Sequence, residues 1–303
     1  VAGYARQVIT PWAPVEVASA DEISGEPLGT KEKYWVVNPE DESVWLFKFA
    51  REGQGRTLGE DWAEWLVHHL ATCLGVPTAQ VMPARCDGRR GIVSRRTNNP
   101  EAGQRLDHGN SLLVEVVPDY ESARKRENPG YTVAAVQQAL RSATAPPTFT
   151  GPSEMDAFDV WAGYLLLDAW VAGRDRHHEN WGVISSTEGR ALSPSFDHGN
   201  ALGFQETSSK LARLNDDLEL RSRWLDRGRS HHFAGRPSLV DLAKEALNLA
   251  SPVARQHWGR QMQSIDLRQV AGIVYEVPTD TMSEAARTFA LNVLLENRER
   301  LTS

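Results

Sequence analysis

Cysteine is scarce: the 303 residues contain only Cys73 and Cys86. Two cysteines exclude a disulfide framework and a cysteine-rich zinc site. No apolar run approaches the ~20 residues that a membrane-spanning helix needs, and the opening VAGYARQVIT lacks the apolar core of a secretion signal. Positive charge is in deficit, with 33 Lys and Arg against 40 Asp and Glu for a net charge of −7. A broad nucleic-acid surface neutralises many phosphates, so direct nucleic-acid binding is not expected. Neither G-x-G-x-x-G, nor G-x-x-x-x-G-K-[ST], nor H-E-x-x-H occurs, which removes the dinucleotide, Walker and zincin signatures. With 41% hydrophobic and 24% charged residues the composition is that of a globular protein, long enough for two modest lobes. A soluble enzyme of the reducing cytoplasm is expected.

What is present is concentrated between Arg174 and Phe204, RDRHHENWGVISSTEGRALSPSFDHGNALGF. Asp175 precedes Asn180 by five residues, and Asp197 follows in FDHG. Phosphoryl transfer from a magnesium–nucleotide complex uses this order: one Asp orients the acceptor hydroxyl, and an Asn and a later Asp hold the hard cation. Trp181 to Ile184 reads as a short strand and Ser185 to Gly189 as a turn, so a strand–turn–strand returns Asp197 to Asn180. The apolar frames Trp170-Val171-Ala172 and Trp181-Gly182-Val183-Ile184 hold these polar residues on a buried scaffold. The histidine pairs His68-His69, His177-His178 and His231-His232 are poor chelators, because neighbours on a helix point about 100° apart.

DRHHEN followed by FDHG resembles the catalytic and metal-binding loops of HipA-like kinases, and of the phosphatidylinositol 3- and 4-kinases with their D-R-H-x-x-N signature. FDHGNALGF departs from the Y-D form of HipA toxins toward the lipid-kinase form. The resemblance implies an α+β, bilobal protein-kinase-like fold, with a small β-rich N-lobe carrying one main helix and a larger, mostly helical C-lobe. It implies a strand lysine for the phosphates of ATP and a helical glutamate to brace it. VWLFKFA, residues 44 to 50, alternates and places Lys48 among apolar neighbours, where an ammonium needs a partner. The next periodic segment, DWAEWLVHHLATCL from Asp61 to Leu74, carries Glu64 in its first turns, with Glu60 and Asp61 as the other carboxylates in reach.

The same resemblance places Gly29, Thr30 and Lys31 in a phosphate-covering turn. It also makes the apolar run Ser111 to Val117, ended by Pro118, a buried hinge strand whose Glu115 carbonyl and Val117 amide meet the adenine. His177 falls inside the catalytic loop, where it bonds the metal-site carboxylate or a backbone carbonyl, or orders the transferring phosphate. ATP and Mg²⁺ are the implied cofactors. The implied activity is a HipA-like serine/threonine kinase with a protein hydroxyl as acceptor; a lipid or small-molecule kinase and a nucleotide-binding pseudokinase are the alternatives.

The anchors divide the chain into 1–118 and 119–303. Ser153-Glu154-Met155-Asp156 reads as a capping box for a helix whose apolar face runs from Met155 to Ala169, and Thr281 as the cap of the last helix, with Glu284 completing its box. Further helices are expected over 238–249, 252–262, 267–275 and 283–301. Arg227 to Arg236 reads as a mobile loop.

Overall fold

The computed structural model describes residues 11–18, 22–25, 33–38, 41–53 and 55–303. Its first unit is a six-stranded sheet in the order β1-β7-β8-β4-β3-β2. The strands are β1 (Val15–Glu16), β2 (Glu22–Gly25), β3 (Lys33–Val37), β4 (Val44–Phe49), β7 (Val81–Cys86) and β8 (Arg89–Arg95), with a small hairpin of β5 (Glu52–Gly53) and β6 (Arg56–Thr57) between them. Strand alternation explains its two faces. Trp45, Phe47 and Phe49 point to one side and form a cluster with Tyr34, Val36 and Val93. Phe47 and Phe49 meet edge to face with centroids 4.7 Å apart. Leu46 and Lys48 point to the other side.

Helix α1 (Glu60–Leu74) packs beneath that second face. It ends where Gly75 takes a left-handed φ of 78° and its amide reaches back to the last turn, a conformation that glycine adopts without strain. The two acidic residues at its start are occupied: Glu60 accepts from Arg51 Nε at 2.8 Å, and Asp61 binds Arg90 bidentately at 2.7 and 2.8 Å. Neither is left for Lys48. On the same helix, burial lowers the pKa of both His68 and His69 to about 4, from an ordinary 6.5. The folded protein resists protonating them and the unfolded chain does not. Their contribution to stability is therefore complete above about pH 6.5 and is lost as pH falls toward 4. The midpoint of thermal unfolding should fall steadily from pH 7 to pH 4 at fixed ionic strength; a flat profile would contradict the burial of this pair.

A second sheet, β10-β12-β11-β9, lies in the other unit. It is built from β9 (Arg105–His108), β10 (Ala143–Thr144), β11 (Gly182–Ser186) and β12 (Gly189–Leu192). The β11–β12 hairpin is the expected strand–turn–strand between Asn180 and Asp197. β9 pairs antiparallel with β11, with His108 opposite Gly182. The chain has thus crossed from the first sheet to the second by residue 105. The run expected as a hinge strand is helix α2 (Gly109–Val116), which buries Leu112 and Leu113 and exposes Val114.

Helices fill the rest: α3 (Val133–Ala139), α4 (Ala157–Trp170), α5 (Ser208–Asp216), α6 (Leu218–Asp226), α7 (Leu239–Leu249), α8 (Pro252–Ser264), α9 (Leu267–Glu276) and α10 (Glu284–Thr302). All 14 residues of α4 are buried, so it is the central element of this unit, not a helix with one apolar face. Its cap is Asp156, which accepts from the Asp159 amide at 2.8 Å, and not Ser153. Likewise Ser283, and not Thr281, caps α10. α10 locks onto α4 through Trp170 Nε1, which donates to the Leu294 carbonyl at 3.0 Å, and through Asn297, which donates to the Trp170 carbonyl at 3.1 Å. The units also meet along a backbone seam. Thr78 and Ser195 form a parallel bridge, with the Ala79 amide donating to Ser195 O and the Ser195 amide to Pro77 O, both at 2.9 Å.

Candidate active site

A cleft of about 170 Å³ opens between the two units, and Lys48 lies on its wall. Lys48 is 8% exposed. Its Nζ lies 2.9 Å from Asp197 Oδ1 and 3.6 Å from Glu64 Oε1. Burial alone would pull the ammonium down, but the Asp197 and Glu64 carboxylates outweigh it and the pKa is raised. The lysine is therefore a fixed positive charge held between one carboxylate from each side of the cleft. Of the carboxylates at the start of α1, the geometry brings Glu64 to it.

Arg176 organises the loop over 174–181. It is 5% exposed and binds Asp168 of α4 bidentately, with Nε and Nη2 donating at 2.7 and 2.8 Å. Its Nη1 donates to the Asn180 carbonyl and to Ser195 Oγ, both at 2.9 Å. One buried guanidinium thus ties α4, the loop and the strand that leads to Asp197. Behind it Trp181 Nε1 donates to Tyr131 Oη at 2.9 Å, and Tyr131 Oη donates to the Arg176 carbonyl at 3.0 Å. Asn180 Nδ2 donates to the Asp175 carbonyl at 2.8 Å. That leaves the amide oxygen of Asn180 as its acceptor end.

Three residues here have strained backbone. Ala172, Asp197 and Leu202 take left-handed φ values of 54°, 61° and 54°. Residues in that region cost free energy and persist where the surroundings enforce them, often at functional sites. The Leu202 amide donates to the Val171 carbonyl at 2.9 Å, which pins the two strained turns to each other. Asp tolerates this conformation better than most residues.

The histidines of the loop are neutral, His178 buried and His177 half-buried on the cleft wall. Desolvation lowers both His177 and His178 to a pKa of about 4, despite the nearby Asp175 and Glu179 carboxylates respectively. His177 Nδ1 accepts from the Glu179 amide at 3.1 Å, so the neutral ring carries its proton on Nε2. His178 Nδ1 pairs with Tyr120 Oη at 2.6 Å. Asp175 Oδ1 lies 2.9 Å from Nε2 of His232.

Among solved structures, the chain is similar to the proinflammatory kinase CtkA of Helicobacter pylori, with a TM-score of 0.72 at 14% identity over 96% of this chain and 95% of that one. It is also similar to HipA of Shewanella oneidensis MR-1, from a toxin–antitoxin system solved with HipB and its operator DNA. There the TM-score is 0.53 at 13% identity, over 91% of this chain and 64% of that chain. The chain has a HipA-type kinase fold. No family model and no curated protein matches the sequence.

Within the HipA-type fold, Lys48, His177, Asn180 and Asp197 line one cleft, Asp175 sits on the same loop, and Glu64 stands behind the lysine. Gly29, Thr30 and Lys31 lie outside the described residues. Glu115 and Val117 do not reach the cleft. The Val117 amide closes the end of α2 on the Leu113 carbonyl at 2.8 Å, and the Glu115 side chain pairs with Arg190 at 3.3 Å on the exposed side. The apolar wall is instead made by Leu46, Ala79, Leu106 and Phe196, with Arg95 and Thr97 at its edge.

The donor set fits Mg²⁺. Asn180 and Asp197 offer amide and carboxylate oxygens, and among the described residues no group of three or more His, Cys, Asp or Glu could hold a metal by protein ligands alone. Mg²⁺ is commonly held by one or two such ligands, with phosphate oxygens and waters completing its shell. Sequence reasoning missed two residues. Arg176 has a legible signal, since Asp168 interrupts the apolar run of α4 and needs a buried cation. His232 has none, standing 57 residues from the group it touches.

Proposed function

We propose that this chain is an ATP- and Mg²⁺-dependent phosphotransferase acting on a serine or threonine hydroxyl of a protein. The observation that carries the reading is Lys48, held at 2.9 Å from Asp197 and 3.6 Å from Glu64 across the cleft that Asn180 also lines. A structural lysine would not require a carboxylate from each unit beside a strained Asp.

In this reading Asp175 orients the acceptor hydroxyl and takes its proton, Lys48 holds the α- and β-phosphates, and Glu64 keeps the lysine in place. Asn180 and Asp197 hold the metal, which when bound neutralises charge on the phosphates. His177, neutral with its proton on Nε2, donates toward the transferring group. The adenine lies between Leu46, Ala79, Leu106 and Phe196, with its edge at the main chain of 95–97; the phosphate-covering turn is assigned to Gly29, Thr30 and Lys31, outside the described residues. The N-lobe then ends within 96–104, where the chain leaves the first sheet for β9. A reducing, cytoplasmic setting suits the two free cysteines, and no helix among the described residues is long and apolar enough to cross a membrane.

Incubation with γ-labelled ATP, Mg²⁺ and host lysate, followed by separation of protein, lipid and soluble fractions, tests the reading. Label should appear in protein and disappear with Lys48→Met. Label confined to lipid or to small molecules would give the acceptor class to the alternative kinases. Absence of both ATP turnover and labelling would overturn the reading.

A further inference from the structure

The loop around Arg227 to Arg236, expected from sequence to be mobile, is clamped. Ser230 N donates to Pro237 O at 3.0 Å, and the His231 and His232 carbonyls accept from the Glu127 and Asn128 amides at 2.9 and 3.1 Å. Phe233 is buried and stacks on Tyr131 with centroids 3.9 Å apart, and the Ala234 amide donates to the Tyr131 carbonyl. Tyr131 in turn holds the catalytic loop through Arg176 O. The loop therefore presents the His232 ring, 5% exposed, at a fixed point beside Asp175.

Both ring nitrogens of His232 face acceptors. Nδ1 lies 2.6 Å from the Lys125 carbonyl oxygen, and Nε2 lies 2.9 Å from Asp175 Oδ1. A carbonyl oxygen accepts and never donates, and an ionised carboxylate does the same. The ring can make both bonds to an ionised Asp175 only by donating twice, as the imidazolium. A buried cation of this kind needs a countercharge, and Asp175 supplies it. The other groups facing the ring are the His177 ring with its centroid 5.2 Å away, His178, His231 and Lys125. His177 and His178 are neutral, and Lys125 is paired with Glu179.

We propose that His232 is a positioning residue for Asp175. In this role the ring, donating from both nitrogens, ties Oδ1 to the Lys125 backbone and leaves Oδ2 to the acceptor hydroxyl. The inference rests on the phosphotransfer reading for its consequence, but the charge of the ring does not. Three groups from separate stretches of chain are thus joined by two hydrogen bonds: a main-chain carbonyl, an imidazole ring and the carboxylate of Asp175.

Two measurements on the intact chain test it. Nitrogen-15 spectra of the side chain should show both His232 nitrogens protonated at pH 7.5, and Asp175→Asn should shift the ring to the neutral form. A neutral ring in the unaltered protein overturns the proposal whether or not the protein transfers phosphate. In steady-state assays His232→Ala should lower kcat roughly 10- to 100-fold, as is common for groups that orient a reacting one, with KM for ATP unchanged. His232→Gln, which keeps a donor toward Asp175, should recover part of the loss. Both variants folding with unaltered kcat would overturn the proposal while leaving the kinase reading intact.

Discussion

If the proposed phosphotransfer holds, Asp175→Ala and Asp197→Asn should each remove it while the protein stays folded, and they should do so differently. Loss of a positioned acid–base group costs on the order of 10²–10⁴-fold in rate. With Asp175→Ala that loss should fall on kcat, with nucleotide affinity retained, because the proposed role of Asp175 is toward the acceptor and not ATP. Asp197→Asn should in addition weaken Mg²⁺-dependent nucleotide binding, since it removes the charged oxygen donor and the carboxylate 2.9 Å from Lys48. Asn is the replacement of choice there because it tolerates the φ of 61°, whereas alanine would add about 1–2 kcal/mol of backbone strain. Titrating a fluorescent nucleotide with and without Mg²⁺, beside a transfer assay, separates the two effects. Full activity in both variants would sink the assignment of the cleft.

The second large effect is on stability. Arg176→Met leaves Asp168 buried without its bidentate partner and strips a donor from Asn180 O and Ser195 Oγ. Breaking a buried pair from one side costs about 3–5 kcal/mol, because the remaining charge is desolvated and uncompensated. Against the roughly 5–15 kcal/mol that holds a typical domain, that is a large fraction. Adding Asp168→Leu to Arg176→Met should recover part of the loss, since the pair is then replaced by apolar groups. Urea unfolding of the two variants measures the difference. If the single variant loses less than about 1 kcal/mol, a magnitude usual for exposed ion pairs, the guanidinium is not the organising centre described above.

Much of the site could be read from the chain because it is local. Asp175 and Asn180 are one loop apart, and the β11–β12 hairpin that returns to Asp197 announces itself through Trp181, Ile184 and Gly189. Lys48 was legible from strand alternation; its need for a partner left Glu60, Asp61 and Glu64 open, and the resemblance to HipA-like kinases singled out Glu64. The run from Ser111 to Val117 failed for a physical reason: a short apolar stretch satisfies a buried strand and a half-buried helix equally. Only its packing, with Leu112 and Leu113 inward and Val114 outward, decides for α2. The base-binding wall moved with it. Helix caps erred by two or three residues where several oxygen-bearing side chains compete, as Ser153 does with Asp156 and Thr281 with Ser283. His232 was beyond reach, since its role exists only after Phe233 has stacked on Tyr131.

The seam at Thr78 and Ser195 has a mechanical consequence. Two short backbone hydrogen bonds join the units along one edge, and any sliding of one unit over the other would break both. Rotation about that edge is opposed as well, by the Gly59 amide donating to the Phe204 carbonyl at 3.2 Å and by one continuous core that takes in both α1 and the helices of the second unit. Asp197 follows Ser195 by two residues, so the seam sets where its backbone stands against the first unit. The corner where Lys48 meets Asp197 is thus assembled by the join between the units itself.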